Sequence, residues 1–285
     1  MGLENIIGVE TKKMRTKRTM VISDLHIPFI DNGAFDVTMS YANNYKPNNL
    51  IINGDLVDFY SLSFWSKSPD RKYDVINEIK LARQYLTKIR ESVGDKCDII
   101  FIKGNHEQRL QRYLSKNAPE LYELEELDIS NLLQFKKNKI KYVDASDEYW
   151  NNDNGHVMIG DMLITHGDSR MNGASYSKYS CYGIKNTILN GIQNNVIQGH
   201  SHRLGKFYHS SINKDYIGLE SGCLCIPTGT ANWQQGFNTF ETYKGKTVNP
   251  RVHQIFKDLK ETYLLVDSKK YSSKKQNKQF KDIGK

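Results

Sequence analysis

Five short apolar runs, each leading into a small cluster of polar residues with glycine close by, dominate this sequence. Thr19–Ser23 leads into Asp24-Leu25-His26. Leu50–Asn53 leads into Gly54-Asp55-Leu56-Val57-Asp58, and Asp98–Ile102 comes just before Gly104-Asn105-His106-Glu107. Met162–Thr165 leads into His166-Gly167, and Asn195–Gln198 into Gly199-His200-Ser201-His202. Runs of this length, apolar and partly β-branched, suit buried strands. Open α/β sheets bind ligands outside the carboxyl ends of their strands. Five such strands would therefore bring three Asp, one Asn and five His to one rim. The expected fold class is α/β.

Each motif alone is weak, because an Asp-Leu-His after a strand is usually a cap or a surface turn. The ordered set carries the information. Carboxylate can bridge two cations, while imidazole and amide add neutral ligands and leave positions open. Paired divalent metals held this way clamp the oxygens of an in-line displacement at phosphorus. Mixed nitrogen and oxygen ligation suits Mn, Fe, Ni or Zn without selecting one.

Complete and in order over residues 19 to 205, these motifs resemble those of the calcineurin-like metallophosphoesterases. The stretch Leu219-Glu220-Ser221-Gly222-Cys223-Leu224-Cys225, with Asn232-Trp233-Gln234-Gln235-Gly236-Phe237, resembles a subgroup common in phages and prophages. More distantly, the chain resembles the DNA-repair nuclease branch. The resemblance implies a four-layer α-β-β-α sandwich with two divalent metal ions, Mn first among them. It implies Asp24, His26 and His202 on one metal, Asn105, His166 and His200 on the other, and Asp55 bridging both. His106 resembles the catalytic histidine of the family and would bind no metal. Titrating near neutral pH, it would protonate the leaving oxygen, with Asp58 orienting it by a hydrogen bond. Protein serine/threonine phosphatases carry Arg-Gly where this chain has Phe59-Tyr60, which argues against a phosphoprotein substrate. The expected activity is a phosphodiesterase or nuclease acting on nucleic acid or nucleotides. The alternatives are a phosphomonoesterase or nucleotide pyrophosphatase, or a nucleic-acid-binding accessory protein with a relic site.

Two segments are candidates for the substrate pocket. Residues 59–73 contain Tyr60 and Trp65, and residues 168–182 contain Arg170; aromatics mixed with cations stack bases and hold phosphate. Arg109 falls about one turn beyond His106 if a helix follows, within reach of a phosphate, although a solvated surface arginine is the plainer reading. Glu107 reads as a structural carboxylate at a helix start. His156, His209 and His253 belong to no motif. Cys223-Leu224-Cys225 hints at a third metal, but no second Cys pair completes a zinc site, so the four cysteines read as buried thiols.

The net charge of +8 sits at the ends: +6 in residues 268–285 and +3 in residues 1–18, leaving 19–267 at −1. A duplex-binding domain would normally carry a basic face. Residues 1–18 read as a basic segment, 19–267 as the metallophosphoesterase domain, and 268–285 as a Lys-rich disordered tail. No apolar run approaches the length of a membrane span, and no signal-peptide core is visible. The expected location is cytoplasmic, in the host if the gene is a phage's. Periodicity predicts helices over Ala34–Tyr45, Val75–Glu91, His106–Lys116 and Glu120–Phe135, with residues 206–267 completing the second sheet.

Overall fold

The computed structural model describes residues 14–64, 74–144, 155–167, 179–190, 194–212, 214–228 and 232–274. Strands β1 (Lys17–Ile22), β2 (Asn49–Asn53), β3 (Asp98–Ile102) and β4 (Ile140–Val143) run parallel in one sheet. A second sheet holds β5 (His156–Ile159), β6 (Met162–Thr165), β7 (Asn195–Gln198), β8 (Leu204–Ser210) and β9 (Asp215–Ser221), in the order β5-β6-β7-β9-β8. Within it, β6, β7 and β9 are parallel.

Strand alternation assigns the layers. Met20 and Ile22, Leu50 and Ile52, and Ile99 and Phe101 face helices α1 (Asn32–Tyr45), α2 (Val75–Val93) and α3 (Gln108–Asn117), in a core with Phe35, Leu86 and Leu110. The alternate residues of the same strands point the other way. Val21, Ile51 and Ile102 meet Met162, Ile164, Ile197 and Leu219 of the facing sheet. Beyond that sheet, Leu163 and Val196 pack on Ile184 and Ile188 of α5 (Tyr182–Asn190). Helices, sheet, sheet and helix make the expected four-layer α-β-β-α sandwich. Both faces of the central strands are buried, which is why their sequences are nearly continuous hydrophobic runs.

Three expectations fail. Residues 206–267 do not simply complete the second sheet. β10 (Gly236–Tyr243) pairs antiparallel with β1, and β11 (Lys246–Gln254) pairs with β10, extending the first sheet instead. β12 (Phe256–Lys257), β13 (Glu261–Val266) and β14 (Lys269–Lys274) form a small third sheet. The predicted acidic helix over Glu120–Phe135 is broken into the 3₁₀ turns Pro119–Leu121 and Glu125–Leu127 and the short α4 (Ile129–Leu132). Leu124 is extended, Asp128 starts α4 by capping Ser130 N, and Gln134 is left-handed. Like charges three residues apart, as at Glu120 and Glu123, also oppose one continuous helix. Finally, the tail expected from Ser268 begins with a strand: Lys269–Lys274 pairs with β13, and Tyr271 packs against Tyr41 at 5.4 Å between ring centroids. A truncation meant to remove only a tail therefore has to start after Lys274; residues 275–285 lie outside the described residues.

α2 also holds the loop after β2. Glu78 is buried and accepts a hydrogen bond from Phe59 N at 2.8 Å. Burial first, then the charge of Asp58, pushes its carboxyl up to about 8. The folded state thus binds a proton that the unfolded chain releases near its ordinary value, so this group's contribution to stability falls as pH rises from about 4.5 to 8. Glu78→Gln keeps an acceptor and removes the titration. The variant's melting temperature should gain on that of the wild type between pH 5 and 8; equal slopes would show that Glu78 is ionised in the fold.

Candidate metal centre

The carboxyl ends of β1, β2 and β3 and those of β6 and β7 converge across the two sheets. Asp24, His26, Asp55, Asn105, His166, His200 and His202 meet there. Asp24 Oδ1 lies 3.1 Å from His202 Nε2 and 3.7 Å from His26 Nε2, which is 3.7 Å from Asp55 Oδ2. On the other side, Asp55 Oδ2 lies 3.2 Å from His166 Nε2, and Asn105 Oδ1 lies 3.0 Å from His166 Nε2 and 2.8 Å from His200 Nδ1. Two ligands each about 2.1 Å from a shared ion are about 3.0–3.4 Å apart in octahedral or tetrahedral geometry. The side with Asn105, His166 and His200 has close to that spacing, at 2.8–3.2 Å. The side with Asp24, His26 and His202 is wider between carboxylate and imidazole, at 3.1–3.7 Å, and Asp55 Oδ2 faces both.

The backbone is bent to achieve this. Asp24, His26, Asp55, His200 and His202 all have φ between 46° and 64°. Left-handed conformations at non-glycine residues cost on the order of 1–3 kcal/mol each and cluster at functional sites. Glycines make room at two points. A Cβ on Gly54, itself at φ +78°, would lie 2.4 Å from His166 Nδ1, and one on Gly104 would lie 2.3 Å from Asp55 Oδ1. Gly104→Ala should therefore push Asp55 aside. We expect activity to fall about 10²-fold, the scale of a 1 Å misplacement, with divalent metal content lowered in elemental analysis. Wild-type metal content and rate would show that the loop yields elsewhere.

Three of the imidazoles are pinned at Nδ1. His26 Nδ1 lies 3.2 Å from Asp58 Oδ2, and His166 Nδ1 lies 2.8 Å from Asn53 O. His202 Nδ1 is 3.9 Å from Cys225 Sγ. Such contacts place the proton on Nδ1 and leave Nε2 free to ligate. Glu107 is structural, as expected, but it works across loops: its carboxylate accepts the N–H groups of Gly104, Asp55, Leu56 and Val57 and ties the β2 and β3 loops together.

The electrostatics call for cations. Burial alone would raise the carboxyls of Asp24 and Asp55, yet the surrounding imidazoles hold both well below the carboxylate range. Burial would likewise lower the imidazoles, yet the carboxylates push His166 up to about 10 and His202 up to about 9. Among the described residues, the fully buried Asp24 Oδ1 has no hydrogen-bond donor and faces His202 Nε2 at 3.1 Å. An all-nitrogen-and-oxygen donor set with buried carboxylates and an orphaned oxygen fits divalent ions.

His106 projects beside this cluster, its Nε2 3.8 Å from Asp55 Oδ2. The backbone carbonyl of Asp58, at 2.9 Å from His106 Nδ1, orients it; the Asp58 carboxylate is 3.5 Å away and bonds His26 instead. The expected near-neutral titration is also displaced: burial first, then the charges of His26 and Arg109, push His106 down to about 3. Arg109 is no solvated surface arginine. It donates to Asp58 O at 2.8 Å and lies 2.9 Å from His106 Nε2. Tyr60 lines neither of the two pockets beside the centre, and Trp65 and Arg170 lie outside the described residues. His253 is a satisfied core histidine bonded to Thr239.

A cavity of about 460 Å³ opens over the centre, walled by Phe29, Ile226, Pro227 and Trp233. The Trp233 ring lies 4.0 Å from that of His202. Neither Trp233 nor Cys225 was foreseen as part of the site; their only signal was the Cys-x-Cys and Trp-Gln-Gln-Gly stretches noted in the sequence.

The model of the calcineurin-like phosphoesterase family matches residues 17–204. The gene 54 proteins of Mycobacterium phages L5 and D29 are 29% and 28% identical to this chain, each match covering 84% of it and 94% of the relative. Among solved structures, vacuolar protein sorting 29 from Cryptosporidium parvum aligns at a TM-score of 0.42 and 13% identity, covering 90% of this chain and 96% of that one.

Proposed function

This chain belongs to the calcineurin-like phosphoesterase family and is a metal-dependent phosphoester hydrolase, and on that premise we propose that it is a dimetal phosphodiesterase acting on nucleic acid or nucleotides. Asp24, His26 and His202 would hold one ion and Asn105, His166 and His200 the other, with the Asp55 carboxylate available to both. The observation that carries this reading is the position of Asp55 Oδ2 in both donor sets. Divalent ions bound there, Mn first and Fe, Ni or Zn by the same ligand chemistry, would supply Lewis acidity and lower the pKa of a water.

The protein's own groups do the rest. His106 faces the leaving oxygen, with Nδ1 fixed on the Asp58 carbonyl and Nε2 between Asp55 and the Arg109 guanidinium, which has to yield it to the substrate. A phosphate anion entering the cavity favours the protonated imidazole, which then gives its proton to the departing alkoxide. Arg109 adds a fixed positive charge beside it. The apolar wall of Phe29, Ile226, Pro227 and Trp233 suits a nucleobase, with Trp233 as the stacking surface. No helix among the described residues is long and apolar enough to cross a membrane, and the phage relatives support action in the cytoplasm of an infected host.

A Mn-supplemented panel of nucleotidyl diesters, nucleoside monophosphates and nucleoside triphosphates, each with its nitrophenyl control where one exists, tests the substrate reading. Diesters should be turned over with the highest kcat/KM. Preference for the monoesters would make the protein a phosphomonoesterase, and preference for triphosphates a pyrophosphatase.

A further inference from the structure

On the α3 side, the centre opens into a second concavity of about 310 Å³. It starts at Asn105 and Arg109, follows α3 to Arg112, Tyr113 and Lys116, and is faced by Phe64. The sequence of α3 has three cations and no carboxylate. Arg109, Arg112 and Lys116 fall at i, i+3 and i+7, one helix face. Over seven residues at 1.5 Å each, this face extends about 10 Å from the centre, long enough for more than one phosphate.

Arg109 pairs with Asp58 at 3.3 Å, but the two charges farther along the face are not neutralised. Arg112 bonds the neutral Gln108 Oε1 at 2.5 Å. Among the described residues, neither Arg112 nor Lys116 pairs with a carboxylate, and none of the acidic residues that follow α3 lines the concavity. Two rings stand at its rim, Tyr113 at 43% exposure and Phe64 at 79%. A merely solvated helix face needs neither a facing wall nor exposed rings. A duplex-binding surface needs a broad basic face, which the near-neutral body of the chain lacks. A short cationic track with stacking rings matches single-stranded nucleic acid.

We propose that this groove binds the single strand flanking the scissile phosphodiester, with Arg112 and Lys116 on backbone phosphates and Tyr113 and Phe64 against bases. The proposal rests on the diesterase reading and makes the substrate a polynucleotide rather than a mononucleotide.

The test uses the full chain and its Arg112→Ala/Lys116→Ala variant, both positions being exposed. Two readouts are taken. One is binding of a fluorescently labelled DNA octanucleotide by anisotropy in chelator, across a salt series. The other is the ratio of kcat/KM for that octanucleotide to kcat/KM for a small aryl phosphodiester in Mn. The variant should bind the octanucleotide about tenfold more weakly. Its log–log salt slope should be shallower by about 1.4, the loss of two single-strand phosphate contacts, and the kcat/KM ratio should fall about tenfold. Equal octanucleotide affinity and salt slope in the two proteins would overturn the groove. So would wild-type protein that hydrolyses the aryl diester but binds the octanucleotide no better than a dinucleotide, and that result leaves the diesterase reading standing. Absence of hydrolysis of either diester defeats the diesterase reading, while anisotropy still reads the groove.

Discussion

Asp55→Asn is expected to abolish phosphoester hydrolysis and to leave the protein short of divalent metal. Asp55 Oδ2 lies within reach of both candidate donor sets, 3.7 Å from His26 Nε2 and 3.2 Å from His166 Nε2. Asparagine is nearly isosteric, tolerates the left-handed backbone that residue 55 adopts at φ 52°, and can still accept the His106 N–H that now bonds Oδ1. The fold should therefore survive, so the effect reads the lost charge. A neutral amide cannot bridge two cations, and both sites should weaken together. The rate should drop by more than about 10³-fold, beyond the loss of one electrostatic donor, with elemental analysis showing less metal per chain. Wild-type activity or unchanged metal content would remove Asp55 from the bridge.

His106→Ala should keep both metals and lose roughly 10²- to 10⁴-fold in rate, the range for one general acid. Its Nε2 is near enough to His26 and Asp55 to be counted as a ligand on distance alone, so metal content is the first readout. A drop there would make His106 a ligand. The second readout is the leaving group. A nitrophenolate departs without much protonation and a nucleoside alkoxide does not, so the deficit should shrink for nitrophenyl esters. An equal deficit for both would mean that His106 positions the phosphate.

The strands and the rim were legible because the signals are local. Each apolar run ends in its own polar cluster, and the nearly continuous apolar sequences of β1, β2 and β3 report two buried faces. What failed was pairing between distant segments. Nothing within Gly236–Tyr243 says that it joins β1 rather than β9, because alternation specifies a face and never a partner. Lys269–Lys274 looks like a solvated tail by composition, and only β13 and the packing of Tyr271 on α1 make it a strand. Cys225 was visible as half of a Cys-x-Cys, but its place beside His202 depends on the N–H groups of Leu224 and Cys225 meeting the Asp24 carbonyl, some 200 residues away in sequence. A cation at the start of a helix reads as solvated in the sequence, and only the loop carrying Asp58, folded over α3, makes Arg109 a partner of the site.

The most direct measurement is anomalous X-ray diffraction from crystals of the full chain, stripped by chelator and reloaded with Mn. Two anomalous peaks about 3.5–4 Å apart, the spacing of paired catalytic metals, are expected on either side of Asp55, one beside Asp24, His26 and His202 and the other beside Asn105, His166 and His200. A single peak at saturating metal, or none, in protein that hydrolyses a phosphodiester at full rate would contradict a shared dimetal centre.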